Sequence, residues 1–173
     1  GVHYLAGEIG HIVVNPEDEE TCRCGNKGCF QVMVARKRLL EMAENGRQEY
    51  PDSQIFQGKN TNTLRIEDIF QASNHGDILA CSVIDDVTTW FAIGLSSLIL
   101  VHDPEIIIFH GMYAGAGDYF LRTLQEKIHA HDLIKNGKDV ELAFSSFGKE
   151  RGVLGGAAYV VAEYFNTHDL YKT

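Results

Sequence analysis

His11, Cys22, Cys24 and Cys29 bring three thiols and an imidazole into one short stretch near the start of the chain. Together they can complete a tetrahedral Cys₃His shell, the donor set typical of structural zinc. With no protein ligand position left open, such an ion would brace the loop and would not activate a water. Cys24 and Cys29 flank a glycine-containing turn, Gly25-Asn26-Lys27-Gly28, that can fold both thiolates onto one ion. Free core cysteines or a disulfide are the alternatives these residue types leave open. Cys81 stands apart in an apolar stretch and is expected to be an inert core thiol.

Other residues invite chemistry and carry less. Asp85 and Asp86 are adjacent on an expected helix, where neighbours in sequence point in different directions, so they do not form a paired site. Arg36-Lys37-Arg38 is the one basic cluster and reads as a solvated helix face. Trp90 and Phe91 read as core, and the acidic run Glu17-Asp18-Glu19-Glu20 as a solvated loop leading into the cysteines.

The elements that must position the cysteine stretch follow from periodicity and punctuation. Residues Glu8 to Asn15 have the character of a strand, closed by Pro16. From about Phe30 to Asn45 the pattern is helical, with Val34, Arg38 and Met42 at four-residue steps and Gly46 as a stop. Residues 47–63 read as a polar surface loop. A short helix from Arg65 to Ser73 precedes Gly76 and a long helix from about Asp77 to Leu100. That long helix is apolar on two faces, Leu79, Val83, Val87 and Trp90 on one and Ile84, Phe91, Leu95 and Leu98 on the other, as a central helix must be. Asp103-Pro104 closes it. Ile106 to Phe109 reads as a buried parallel strand, followed by Gly111, Gly115 and Gly117 and a helix from about Asp118 to His131. A strand over 140–145 and a helix from Gly152 to Phe165 complete an α/β alternation, for which ligand binding at the carboxyl ends of the strands is the default.

Composition narrows the function classes. With 173 residues, 45% hydrophobic and 23% charged, the chain can build one ordinary core. A net charge of -9 argues against a surface that grips nucleic acid directly. Residues 1–6 lack the basic start and apolar run of a signal peptide, and the longest uncharged run, Val87 to Val101, is shorter than a membrane span. Clustered thiols beside a histidine favour a reducing, cytoplasmic setting.

Glu8-Ile9-Gly10-His11 followed by Cys22-x-Cys24-Gly25-Asn26-x-Gly28-Cys29 resembles the signature of the ROK family of repressors and sugar kinases. The resemblance continues through Asp103-Pro104-Glu105-Ile106-Ile107-Ile108 to Gly155-Gly156-Ala157 and covers nearly the whole chain. It implies an α/β fold, the C-terminal lobe of an actin-like ATPase (ribonuclease H-like) architecture with a zinc-braced loop. In that family sugar and ATP bind between two lobes. Residues 1–173 resemble the second lobe alone, so the resemblance implies a fragment of a longer protein. The phosphate motifs, the catalytic Asp and any DNA-binding domain would then lie upstream.

Residue by residue, the resemblance implies zinc ligation by His11, Cys22, Cys24 and Cys29 and sugar contacts by Glu8, His11 and Gln31. Gln31 departs from the glutamate usual at its position, keeping an acceptor but losing the charge and adding a donor. His110-Gly111 stands where the kinases have a glycine pair beside the nucleotide. Gly111 is the candidate nucleotide contact there, and the His110 side chain would crowd it. Both departures lean toward the repressor branch. The expected function is a sugar-sensing and dimerisation domain of a transcriptional regulator, binding a small sugar or sugar phosphate and a structural zinc. It would reach DNA only through an absent N-terminal domain. The alternative is the sugar-binding half of an ATP-dependent, glucokinase- or fructokinase-like kinase; no catalytic residue is assigned within this chain.

Overall fold

The element around which the others pack is a helix of 25 residues, Ile78–His102 (α4). In the computed structural model, which describes residues 2–3, 5–58, 63–130, 139–148 and 150–167, it runs between α2 (Arg36–Asn45), α3 (Ile66–Asn74) and α5 (Asp118–His129). Asp77 caps its start by accepting from the Ala80 amide at 2.9 Å. Its end is set by Asp103 in the left-handed region (φ 45°), followed by Pro104. Both expected faces are inside, with Leu79, Val83, Ile84, Val87, Phe91 and Leu95 buried and Trp90 and Leu98 partly so. Among the described residues α4 is the one helix long and apolar enough to cross a membrane, which the length of its uncharged run did not suggest. Its packing against four other helices is that of a core helix.

An aromatic cluster joins α4 to its neighbours. Phe91 meets Phe30, Phe109, Tyr113 and Phe120 edge to face at 5.1, 5.7, 4.8 and 5.3 Å between ring centroids, an arrangement favoured by the ring quadrupoles. Lys127 of α5 folds its ammonium onto α4, donating to the Asp85 carbonyl and to the Thr88 and Thr89 hydroxyls. Tyr119 donates its hydroxyl to the Asp85 carboxylate at 3.2 Å while Asp86 is exposed, so the two carboxylates do not act as a pair.

The sheet within the described residues has two parallel strands, β1 (Ile106–Phe109) and β2 (Glu141–Phe144), in register Ile106↔Glu141 to Phe109↔Phe144. The expected parallel pairing is present, but the expected burial of β1 is not. Phe109 is inside, whereas Ile106 and Ile108 are exposed because only one face of this narrow sheet is covered. A last helix, α6 (Arg151–Thr167), exposes Val153, Leu154, Tyr159, Val160, Val161, Tyr164 and Phe165.

Three further expectations are corrected. Residues 8–15 form no strand: Ile9–His11 is a 3₁₀ turn closed by His11 N–H to the Glu8 carbonyl (3.1 Å), and Val13 makes a single antiparallel bridge to Cys29. Ile9 and Val13 are accordingly exposed. The helix expected over residues 30–45 is two, α1 (Phe30–Met33) and α2, broken at Val34 and an extended Ala35. The Tyr113 hydroxyl, 2.7 Å from the Val34 carbonyl, takes the acceptor at the break.

The stretch after Gly46 is not simply a surface loop, since Ile55 and Phe56 of its 3₁₀ turn (Gln54–Phe56) are buried. Asp77 anchors that turn, accepting from the Ser53 hydroxyl and the Gln54 amide at 2.9 and 2.8 Å. Residues 59–62 of that stretch and 131–138, which include the expected end of α5 at His131, lie outside the described residues.

Candidate metal centre

Two short backbone devices bring the ligands together. The chain reverses after Cys22, whose amide donates to the Asn26 carbonyl (2.8 Å) while the Gly25 amide donates to the Cys22 carbonyl (2.8 Å). Gly25 has φ 93°, open to glycine at no steric penalty. The chain then passes Gly28 (φ 64°), whose carbonyl accepts from Val14 and Asn15. A Cβ at Gly28 would overlap the Asn15 carbonyl oxygen at 1.6 Å, so no other residue fits this crossing. The crossing lays Cys29 beside residues 11–13, where Phe30 N–H reaches the Ile12 carbonyl (2.8 Å). The 3₁₀ turn Ile9–His11, standing where a strand was expected, turns His11 toward the thiols.

The ligand atoms of His11, Cys22, Cys24 and Cys29 lie within 4.8 Å of one another. The Cys22 sulfur is 3.5 Å from His11 Nδ1, and the Cys24 and Cys29 sulfurs are 3.5 Å apart. A tetrahedron with zinc–sulfur and zinc–nitrogen bonds of ordinary length has edges of roughly 3.5–3.8 Å, so the donor set suits a metal such as zinc in number and type, and these two pairs have the matching spacing. A disulfide would need sulfurs at about 2.05 Å; all four cysteines are free thiols.

Charge makes the same point. The Cys22 thiol is lowered to about 6, above all by the hydrogen bond from the Cys24 backbone, with further help from the other thiols and His11. The Cys29 thiol is pushed up to about 12 by burial and by the neighbouring sulfurs. Three sulfurs this close cannot all ionise without a positive partner, a need that a divalent cation held by these four donors would meet.

The remaining ligand candidates distribute unevenly. Glu8 Oε2 lies 3.6 Å from His11 Nε2, and the Glu8 carboxylate is more than half exposed. The imidazole therefore spans the two groups, one nitrogen toward the thiols and the other toward the carboxylate. Gln31, on α1, reaches the cluster from another side, its Nε2 3.2 Å from the Cys22 sulfur. Gly111 lies outside this cluster, opening the 3₁₀ turn Gly111–Gly115 after β1 with φ 71°, and His110 is exposed just before it.

Residues to which the sequence assigned no role at the site tie it to the core. Asp18 and Glu20 pair with Arg38 and Lys37 of α2, so part of the acidic run and part of the basic cluster, both expected to be merely solvated, clasp each other. Tyr113 links the turn that holds Gly111 to the end of α1 through the Val34 carbonyl. The opposite charges of residues 17–20 and 36–38 were a readable signal for the first; nothing local foretold the second.

Comparison with known proteins identifies the family. The family model described as ROK family matches residues 1–163. The chain is 31% identical over 157 residues to the glucokinase of Halalkalibacterium halodurans, spanning 90% of this chain and 48% of that protein. It is 26% identical over 163 residues to the xylose repressor of Caldicellulosiruptor bescii, spanning 94% and 41%. The fold superimposes on a ROK family glucokinase from Streptomyces griseus, solved in complex with glucose and AMPPNP, with a TM-score of 0.72. The identity there is 22%, over 89% of this chain and 51% of that one. The chain thus spans about half the length of the curated relatives it matches. Repressors and kinases both stand among these relatives, and with residues 1–163 matched by one family model the chain belongs to the ROK family.

Proposed function

We propose that this chain is the sugar-sensing and dimerisation lobe of a ROK-type transcriptional regulator, working in the cytoplasm. In this reading His11, Cys22, Cys24 and Cys29 hold a structural zinc, and Glu8, His11 and Gln31 receive a small sugar. The carrying observation is the two-sided imidazole of His11, with Nδ1 facing the Cys22 sulfur and Nε2 facing an exposed carboxylate. Holding one ring nitrogen on a metal fixes the tautomer and leaves the other aimed at the ligand. A carboxylate beside it accepts hydrogen bonds from two neighbouring hydroxyls, which is the chemistry a sugar presents.

The reading includes a second lobe on a longer polypeptide. Support comes from the length of the relatives, roughly twice that of this chain, and from the apolar residues that α6 leaves exposed. Sugar binding between the lobes would then act on an attached DNA-binding unit through its different affinity for open and closed states. A homodimer belongs to the same proposal, and a nucleotide beside Gly111 belongs to the second reading.

A second reading has its own support: the relative with 31% identity is a glucokinase. There the chain is the sugar-binding half of an ATP-dependent kinase, with the catalytic base on the other lobe. Calorimetric titration of the full-length protein with glucose and with xylose, with and without magnesium-ATP, separates the two. Sugar binding without phosphorylation is expected. Turnover of ATP near 1 s⁻¹ or faster, ordinary for an enzyme, overturns the regulator reading.

A further inference from the structure

We propose that Gln31 is an outer-shell positioning residue of the metal centre, whose side-chain amide donates an N–H to the Cys22 thiolate and holds that sulfur in the ligand set. The proposal rests on the reading of the four donors as metal ligands, and it gives Gln31 a task on the metal side in addition to the sugar contact proposed above.

The geometry is direct. Gln31 Nε2 is 3.2 Å from the Cys22 sulfur, within the range of an N–H···S bond. Cys22 is 3% exposed, and Gln31 is half-buried. Gln31 sits two residues beyond Cys29 on α1, a helix that begins immediately after that ligand, so the donor is carried by the same backbone that carries another ligand.

The amide has one productive orientation. A metal-bound thiolate has no proton and can only accept, so the nitrogen end of the amide faces it. The oxygen end then points toward Gly10, where a Cβ would lie 2.9 Å from Oε1 and 3.2 Å from the Gln31 Cβ. Gly10 has no unusual backbone angle, since it is absent from the residues of positive φ. Its role is to leave the room Gln31 occupies. A donor on a ligating sulfur draws off negative charge that three thiolates around one dication leave in excess, and resists protonation of that sulfur.

The test uses metal, not sugar, as its readout. Purified wild-type protein, Gln31→Met (similar length, no N–H) and Gln31→Glu (same shape, a negative oxygen in place of the donor) are titrated with cobalt(II) against a competing chelator. Wild type is expected to show intense tetrahedral cobalt bands and a thiolate-to-cobalt charge-transfer band. Gln31→Met should bind about 10- to 100-fold more weakly, with its charge-transfer band moved to lower energy and the tetrahedral bands retained. Gln31→Glu should lose more.

Gly10→Ala approaches the same bond from the other side and should weaken binding in the same direction, so the conclusion does not depend on one variant folding. If wild type binds cobalt and Gln31→Met and Gln31→Glu match it in affinity and band position, the outer-shell role is overturned and the metal centre stands. If wild type takes up no cobalt, the metal reading fails and this proposal falls with it.

Discussion

The loop that carries the ligands and the helical core beside it are organised by different physics. In α3, α4 and α5 nearly every inward position is apolar and buried, and Phe70, Ile84, Phe120 and Leu124 are within 2% of complete burial. Between Glu8 and Phe30 the buried hydrophobic residues are Val14, Cys22, Cys29 and Phe30, while Ile9 and Val13 face outward. That loop is shaped instead by tight turns, two isolated bridges and four candidate ligand side chains whose donor atoms lie within 4.8 Å of one another. A third region, α6, is apolar like α4 yet exposed. The comparison teaches that apolar burial places the helices, whereas donor chemistry places the loop. Removing one kind of support should leave the other standing.

The largest expected effect tests the core side. Phe120 is fully buried and packs against Phe91, Phe109 and Tyr113. Phe120→Ala should cost about 3–5 kcal/mol and lower the melting temperature by roughly 6–20 °C, as read by circular dichroism. Zinc stoichiometry measured well below that melting temperature should stay at wild type. Loss of metal at that temperature would show that the loop depends on the core more than its geometry suggests.

Next comes the loop side. Cys24 is exposed and contributes no core packing, so its substitution reports ligation almost alone. Cys24→Ser should weaken metal binding by more than about 100-fold, or about 2.7 kcal/mol, measured by competition with a chromogenic chelator. Chelating the wild-type metal should speed tryptic cleavage at Arg23 and Lys27, within the loop, and leave Arg122 and Lys127 of α5 protected. Uniform acceleration at all four sites would erase the proposed division.

The same division explains what the sequence made legible. Helices α4, α5 and α6 and strands β1 and β2 begin and end close to where periodicity, Gly76, Asp103-Pro104 and the later glycines put them. The clustering of His11 with the three cysteines was legible from residue type and spacing, without knowledge of the turns that assemble it. Features decided by one long-range hydrogen bond were not legible. The break after α1 depends on the Tyr113 hydroxyl, far along the chain, and the burial of Ile55 and Phe56 depends on Asp77. The apolar residues at 8–15 suggested a strand because hydrophobicity carries no trace of the demand that His11 turn toward three sulfurs. The role of Gln31 was also hidden, since its bond to Cys22 exists only once Gly10, Cys22 and α1 meet.

Asp77 offers a medium-sized test, because it supports the core through polar bonds. Its carboxylate accepts from Ser53, Gln54 and Ala80, capping α4 and pinning the preceding 3₁₀ turn. Asp77→Ala should cost about 1–2 kcal/mol. It should also raise hydrogen exchange selectively in residues 53–57 and the first turn of α4, with no change in metal affinity. If exchange rose equally across residues 11–30, the boundary between the two regions would be drawn in the wrong place.

The smallest expected effect is the sharpest check on how the thiols divide. Cys81 lies on α4, half-buried, with its sulfur 3.5 Å from the Ser73 carbonyl, and burial raises its thiol above the usual value. A neutral thiol donating weakly to a carbonyl can be replaced by a hydroxyl that donates better. The change gives up a little apolar contact in exchange. Cys81→Ser should therefore shift stability by less than about 1 kcal/mol and leave cobalt spectra and zinc stoichiometry untouched. Cys24→Ser makes the same chemical change at an exposed position, where packing predicts almost no effect and ligation predicts a large one. Burial alone ranks Cys81 as the more sensitive site, and metal binding reverses that order. If the two variants bind metal equally well and Cys81→Ser melts lower, the four donors near the N-terminus are neighbours without being ligands.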